Sequence, residues 1–271
     1  MHESIKYISY KESPIRFYDK GKGRAVVLLH GFLESMEIWE DYAAELSKRF
    51  RVICIDLPGH GQSGCLGYIH TMDMMAECVQ AVLKQLRIRS SAIIGHSMGG
   101  YVAMAYAEIY PDKVKGLCLF HSTAAADNEV KKKDRDRLIA LVKQSKKDLV
   151  RQMIPNLFTK ENRKKYSEEV KALIKAARKT PKQGIIAALE GMKERREREI
   201  ILRFSTYPVS FIIGRHDPVV PFEKIMEQVE LPSNAMYHVL EETAHMGFIE
   251  AKEECYEMIS DFAKISYNAK K

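Results

Sequence analysis

Residues 91–101 read Ser-Ala-Ile-Ile-Gly-His-Ser-Met-Gly-Gly-Tyr: a short apolar run, a tight turn with Ser97 at its apex, and the start of a small-residue helix. Within it, Gly95-His96-Ser97-Met98-Gly99 fits G-x-S-x-G, the spacing of a sharp strand-to-helix elbow. A serine at the tip of such a turn takes a strained backbone conformation, and side chains two residues to either side would collide; glycines at 95 and 99 remove them. Five letters recur by chance, so the flanks carry the weight. Ala92 to Ile94 predict a buried strand of a parallel sheet, and Met98 to Ile109, apolar nearly all round, a helix pressed against it.

The rest of the chain has to supply that sheet. Ile5 to Tyr10 and Ile15 to Tyr18 predict an edge hairpin turning at Ser13-Pro14. Ala25 to Leu29 is an apolar run too short for a helix, hence a strand buried on both faces, and it ends in His30-Gly31-Phe32. A helix is expected over about Met36 to Phe50, with Trp39, Leu46 and Phe50 as packing residues and Trp39 near a pocket mouth. Arg51 to Ile55 is the next strand. After it, Gly59, Gly61 and Gly64 spell G-x-G-x-x-G, but no helix opens there and no acidic residue closes the next strand. A glycine turn ordered by Asp56 is therefore expected, not a dinucleotide site. Thr71 caps a helix to Leu86 whose apolar face is Met72, Met75, Ala76, Val79, Leu83 and Leu86.

Val114 to Phe120 predicts another strand, leading to His121-Ser122-Thr123. From Asp127 to Arg203 strand-like runs vanish and three or four amphipathic helices take over, broken at Pro155-Asn156 and Thr180-Pro181. Strands resume at Val209 to Ile213 and Ala235 to Leu240, with a helix between at about Phe222 to Val229. A last helix buries Ile249, Tyr256, Ile259 and Phe262, and Asn268 to Lys271 are expected to fray. The fold class is α/β: a mostly parallel central sheet with helices on both faces and an inserted all-helical cap. The core spans residues 1–126 and 204–271, and the cap 127–203. A length of 271 residues suits one such core with its insertion.

Charge and cysteine usage exclude several classes. The net charge is +7, yet residues 129–203 alone hold 23 Lys and Arg against 11 Asp and Glu, a surplus of 12, which leaves −5 for the remainder. The basicity belongs to the cap, which has few aromatics to stack bases, so a solvated helical surface is expected and no nucleic-acid partner. Five cysteines, Cys54, Cys65, Cys78, Cys118 and Cys255, are odd in number and lack C-x-x-C spacing, indicating neither a disulfide framework nor a zinc site. Met1 to Tyr10 lacks an apolar leader core, and no run approaches the roughly eighteen apolar residues of a membrane span. A soluble protein of the reducing cytoplasm is the expectation, without metal or organic cofactor. Nothing in the residues specifies an oligomeric state.

Right-handed crossovers between parallel strands put all strand carboxyl ends on one edge. Ser97, Asp217 and His245 then converge there, each just after a different strand, as nucleophile, acid and base. Their order along the chain, Ser, then Asp, then His, is that of α/β hydrolases. With His30-Gly31-Phe32, Asp56-Leu57-Pro58-Gly59-His60-Gly61-Gln62-Ser63, Gly95 to Gly100, Gly214-Arg215-His216-Asp217-Pro218-Val219-Val220-Pro221 and His245 in register, the chain resembles the α/β-hydrolase family from about Ala25 to the final helix. That resemblance implies an oxyanion hole of the Phe32 and Met98 backbone N–H groups. It also argues against dehalogenases and epoxide hydrolases, which carry aspartate where Ser97 stands.

Other residues compete for these roles. Of nine histidines, His30 and His60 lie in glycine turns, His96 points away from the elbow serine, His216 precedes Pro218, and His121 is the credible rival base or a pocket residue beside His30. Asp127 is the alternative acid. Glu241 and Glu242 read as loop-ordering or surface groups. The expected activity is a carboxylic-ester hydrolase acting on a small or medium acyl substrate, in line with the resemblance of Gly-His-Ser-Met-Gly-Gly to esterases and monoacylglycerol lipases. The alternatives are carbon-carbon bond hydrolysis or a menaquinone-pathway type of lyase reaction on the same triad and, in another class, a ligand-binding receptor. Attraction of a small anionic substrate, as the carbon-carbon enzymes would require, is the alternative to a solvated surface for the basic cap.

Overall fold

The structure is a computed structural model that describes residues 4–268. Its frame is the set of short apolar runs that cannot be exposed. Strands β3 (Ala25–Leu29), β5 (Ser91–His96) and β7 (Val209–Gly214) are buried at every position, as strands covered on both faces must be. They belong to one eight-stranded sheet with β1 (Ile5–Tyr10), β2 (Ser13–Lys20), β4 (Arg51–Ile55), β6 (Val114–Phe120) and β8 (Ala235–Leu240), in the order β1-β2-β4-β3-β5-β6-β7-β8. The β1–β2 and β2–β4 pairs are antiparallel, and every pair from β4–β3 onward is parallel. The expected edge hairpin is present, but it turns at Lys11 and Glu12, both at positive φ, while Ser13 and Pro14 already belong to β2. Proline fits there because its missing N–H costs little near the end of a strand.

Helices cover both faces. Helix α2 (Met72–Gln85) packs on α3 (Met98–Ile109), which lies along β5 and β6. Thr71 caps α2 as expected, its Oγ1 accepting from Met74 N at 3.1 Å. The predicted helix over residues 36–50 is shorter: a 3-10 turn at Met36–Trp39 followed by α1 (Glu40–Leu46). Trp39 is fully buried against Tyr42 and Phe120, so the expectation that it sits at a pocket mouth is corrected: an indole this large is core.

Between β6 and β7 the described residues contain five α-helices, where three or four were expected: α4 (Glu129–Met153), α5 (Lys160–Lys165), α6 (Ser167–Ala177), α7 (Lys182–Lys193) and α8 (Glu199–Arg203). Short helices of one or two turns carry too little periodicity to be counted from sequence. Helix α4 is kinked at Ser145, whose φ of −151° and ψ of 96° are extended. Apolar residues of this insert, among them Ile139, Val142, Leu149, Ile185 and Leu189, are continuous with the core over the sheet. Helix α7 docks on the loop after β4 through glycines: a Cβ on Gly184 would lie 2.1 Å from the Gly59 carbonyl oxygen, and one on Gly191 1.7 Å from that of His70.

After β7 come α9 (Phe222–Val229), β8, α10 (Gly247–Glu250) and α11 (Lys252–Asn268). The expected terminal helix is split at Ala251, and Ile249 and Tyr256 are half-buried where full burial was expected, while Ile259 and Phe262 are in the core. Asn268 is the last residue of α11; the rest of the stretch expected to fray, residues 269–271, and Met1 to Glu3 of the expected leaderless amino terminus lie outside the described residues. The five cysteines are unpaired, with Cys54, Cys78, Cys118 and Cys255 buried. Among the described residues no helix is long and apolar enough to cross a membrane.

Candidate active site

Strands β3 and β5 are sheet neighbours although β4 and α2 intervene in the chain, so the strand order reverses between them. Connections diverge at such a point and leave a crevice at the carboxyl ends of the strands. The register pairs Leu29 with Gly95, which sets His30-Gly31-Phe32 beside His96-Ser97-Met98. The loops after β6, β7 and β8 reach the same edge because those strands run parallel to β5.

Ser97 takes φ 49° and ψ −115°, a region that β-carbon-bearing residues avoid. Hydrogen bonds hold it there: Ser97 N donates to Phe120 O at 2.9 Å, and Ser122 Oγ donates to Ser97 O at 2.8 Å. The glycines two residues either side have the reason anticipated from their spacing. A Cβ on Gly95 would lie 2.3 Å from the Gly99 carbonyl oxygen, and a Cβ on Gly99 2.3 Å from that of Leu29. Met98 begins α3, so its N–H is among the four amides that a helix leaves without an internal partner. Phe32 and Ser97 line one cavity.

His245 Nε2 lies 2.9 Å from Ser97 Oγ and its Nδ1 2.7 Å from Asp217 Oδ2. With Nδ1–H donating to the carboxylate, Nε2 is the acceptor for the serine hydroxyl proton. Asp217 is nearly fully buried. Burial alone would raise its pKa, but the His245 and His121 imidazoles hold it well below the usual carboxylate range. Its Oδ1 accepts from Val219 N and Val220 N at 2.8 and 2.9 Å, so both carboxylate oxygens are committed. His121, Asp217 and His245 also place one donor atom each within 4.8 Å of one another, close enough for a metal-ligand set. An ion there would compete with the His245–Asp217 hydrogen bond for the same atoms.

The two expected pocket histidines, His30 and His121, are not among the residues lining the cavity of Ser97. His30 is fully buried, its Nδ1–H donating to Gly31 O at 2.8 Å and its Nε2 accepting from Leu57 N at 2.9 Å, so it ties two loops together and does not face the cavity. His121 stands against Asp217, with Nδ1 3.4 Å from Oδ2, and is pushed down to about 4 chiefly by burial, which leaves it neutral. Asp127 is engaged by Arg135 and Arg195, and His245 has Asp217 as its carboxylate partner. Asp56 orders the glycine loop as expected, accepting from Met36 N at 2.8 Å and Gln62 N at 2.9 Å. Glu241 forms a two-pronged pair with Arg215 at the surface.

A group missed in the sequence is Glu34. Its buried carboxylate accepts from Gly31 N at 2.5 Å and from His96 Nδ1 at 3.0 Å, while His96 Nε2–H donates to the His245 carbonyl at 3.0 Å. His96 Nε2 faces a carbonyl and Nδ1 a carboxyl oxygen, an arrangement that an imidazolium opposite an ionised Glu34 satisfies at both nitrogens. Burial opposes charge on both, but the pair's mutual attraction prevails, lowering the Glu34 pKa and raising that of His96. His96 does point away from Ser97, yet it spans the loop after β3, the elbow and the loop carrying His245. The one available signal was an acidic residue in an otherwise apolar loop, three residues after Gly31.

The cavity above Ser97 has a volume of about 40 Å³ and is lined by Phe32, Glu34, Tyr101, Arg135, Met153, Leu157, Met192, Val219 and His245. Arg135, Met153, Leu157 and Met192 come from the helical insert, and His245 N donates to Leu157 O at 3.0 Å. The insert therefore roofs the site and also anchors the loop of the imidazole.

Comparison with known proteins shows the family. The chain matches the alpha/beta hydrolase fold family over residues 24–252. It is 26% identical to a pimeloyl-[acyl-carrier protein] methyl ester esterase of Methylococcus capsulatus, over 89% of this chain and 95% of that protein. It is also 26% identical to the dihydrolipoyllysine-residue acetyltransferase component of the acetoin cleaving system of Pseudomonas putida, covering 92% of this chain but only 66% of that longer protein. Among solved structures, a thermophilic esterase from Thermogutta terrifontis, with malate bound, superimposes with a TM-score of 0.91 at 26% identity, covering 97% of this chain and 99% of the esterase.

Proposed function

Since the chain belongs to the alpha/beta hydrolase fold family, we propose that it is a serine hydrolase cleaving carboxylic esters of small or medium acyl chains through an acyl-Ser97 intermediate. The observation that carries this reading is the unbroken contact from hydroxyl to imidazole to carboxylate, 2.9 and 2.7 Å, at the floor of a cavity. His245 takes the Ser97 proton as Oγ attacks the ester carbonyl, then passes it to the leaving alkoxide; Asp217 keeps the imidazole in the accepting tautomer and stabilises the imidazolium. Charge developing on the carbonyl oxygen is met by the Phe32 and Met98 N–H groups. In the second half, His245 draws a proton from water, which attacks the acyl carbon, and returns it to Ser97. The esterases among its relatives support the ester bond as target.

A cavity of about 40 Å³ has room for little more than a few waters. An acyl chain must push aside Met153 and Met192, whose unbranched side chains repack at small cost. The test is a p-nitrophenyl ester series from acetate to octanoate, run with Ser97→Ala and with mass spectrometry after fluorophosphonate labelling. We expect labelling at Ser97, fastest turnover on the shorter esters, and a kcat loss of about 10⁵- to 10⁶-fold in the variant. Wild-type turnover no faster than that of Ser97→Ala would overturn the reading. Slow turnover of every ester beside rapid cleavage of a vinylogous dienoic acid would move it to carbon-carbon bonds.

A further inference from the structure

The cluster around Asp127 holds two cations and one anion. Arg135 Nε lies 2.6 Å from Asp127 Oδ2, and Arg195 Nη1 lies 2.7 Å from Oδ1. Arg195 has further partners: its Nη1 donates to Met192 O at 3.0 Å, its Nε to Ala125 O at 3.2 Å, and its guanidinium lies 4.0 Å over the Tyr101 ring. It is thereby built into the wall. Arg135 has a longer second contact to Asp127 Oδ1, at 3.5 Å, and its side chain is 14% exposed. It reaches the cavity that holds Ser97 and His245. One carboxylate shared by two guanidinium groups leaves a surplus positive charge in a largely desolvated place, where an incompletely matched cation is costly. The other acidic group on the cavity wall, Glu34, is already committed to Gly31 N–H and to the charged His96. The remaining walls, Phe32, Tyr101, Met153, Leu157, Met192 and Val219, offer a ligand mainly apolar contact.

We propose that Arg135 is a substrate-carboxylate recognition residue, and that the preferred substrates are esters carrying a free carboxylate a few bonds from the scissile carbonyl, such as half-esters of short dicarboxylic acids. The proposal deepens the serine-hydrolase reading and rests on it. A planar guanidinium already tilted toward Asp127 has donors left for a second carboxylate, and a charge-assisted bond in a largely buried cavity is among the stronger contacts a ligand can make. A neutral ester of the same length leaves that charge unmatched.

The experiment compares the ethyl half-esters of succinate, glutarate and adipate with ethyl butyrate, ethyl valerate and ethyl hexanoate in a pH-stat, for the wild type, Arg135→Gln and Arg135→Lys. In the wild type the charged ester of each pair should have the higher kcat/KM. Arg135→Gln should lower the ratio of charged to neutral kcat/KM by about 10- to 100-fold. Arg135→Lys should fall between, since it keeps the charge and loses the fork. A ratio that stays the same in Arg135→Gln, whether or not both rates drop, assigns Arg135 to structure alone and overturns the proposal. A binding measurement covers the case of poor folding or weak turnover. Glutarate titrated calorimetrically into Ser97→Ala should bind, and at least 10-fold more weakly when Arg135→Gln is added; absence of binding also overturns it. Failure of the hydrolase reading looks different: Ser97→Ala then matches the wild type on every ester.

Discussion

The carboxyl edge of the sheet and the helical insert above it face the same cavity but are built by opposite means. At its glycines the edge has backbone packed so closely that a side chain is excluded. A Cβ on Gly95 or Gly99 would strike main-chain oxygens at 2.3 Å, and one on Gly214 would sit 1.9 Å from the Ala244 carbonyl oxygen. Several of its polar groups are buried and bonded to one another: Ser97 to His245, His245 to Asp217, and His96 to Glu34. The insert instead spends much of its sequence on solvated charge, including exposed pairs such as Lys171 with Glu168, and contributes a few apolar side chains and Arg135 to the cavity. The lesson is that chemistry asks for a rigid edge, whereas selectivity can reside in a roof that tolerates change.

Substitutions should separate the two regions by the size of their effects. The largest, after loss of the serine itself, is expected at Asp217. Asp217→Asn should lower kcat by about 10⁴-fold with little change in KM, because the amide cannot hold the accepting tautomer of His245. Steady-state kinetics on a short p-nitrophenyl ester checks this, and a fall below 10-fold would place the working acid elsewhere.

Next comes the buried pair behind the elbow. Glu34→Gln leaves the His96 imidazolium without its counter-ion and should cost about 3 kcal/mol of stability, with kcat falling about 10- to 100-fold as the Phe32 loop loosens. The pH dependence has a definite sign. Glu34 is lowered from its ordinary 4.5, so its contribution is complete above that value and lost as pH falls through the lower folded one. His96 is raised from 6.5, so its contribution is complete below that value and lost as pH rises through the higher folded one. The difference in Tm between wild type and variant should therefore be greatest between pH 4.5 and 6.5 and shrink on either side. A difference independent of pH would mean that the pair is not ionised.

The smallest effect belongs to the surface of the insert. The side chains of Lys171 and Glu168 are 70% and 78% exposed, and Lys171→Ala should change stability by no more than about 0.5 kcal/mol in urea titrations. A loss above 1 kcal/mol would show that the charged face of α6 packs against something.

Much of the edge was legible because its constraints are local. Strand runs such as Ala25 to Leu29, the Thr71 cap, and the glycines bracketing Ser97 each need only neighbours within a few residues to be recognised, and they recur in the structure as read. The turn at Lys11 and Glu12 was misplaced because Ser-Pro is a turn signal that also suits a strand's first residues. A large or titratable residue in or near a loop, such as Trp39 or His30, looks exposed in the sequence until its surroundings are known; both are fully buried. Glu34 and Arg135 left almost no mark. An acid in a loop and one cation among many in a basic helix are ordinary letters until burial makes them costly.

The primary structure alone specified an alternating strand and helix order, a strained serine elbow, and three chemically competent side chains in the Ser, Asp, His order, since each depends on periodicity, steric need or chain order. Folding in three dimensions settled the partners. Asp127 went to two arginines while Asp217 took the imidazole, and His96 became a charged strut between loops. Those outcomes follow from distance and desolvation between residues far apart in the chain, and neither quantity exists until the sheet has brought its carboxyl ends together.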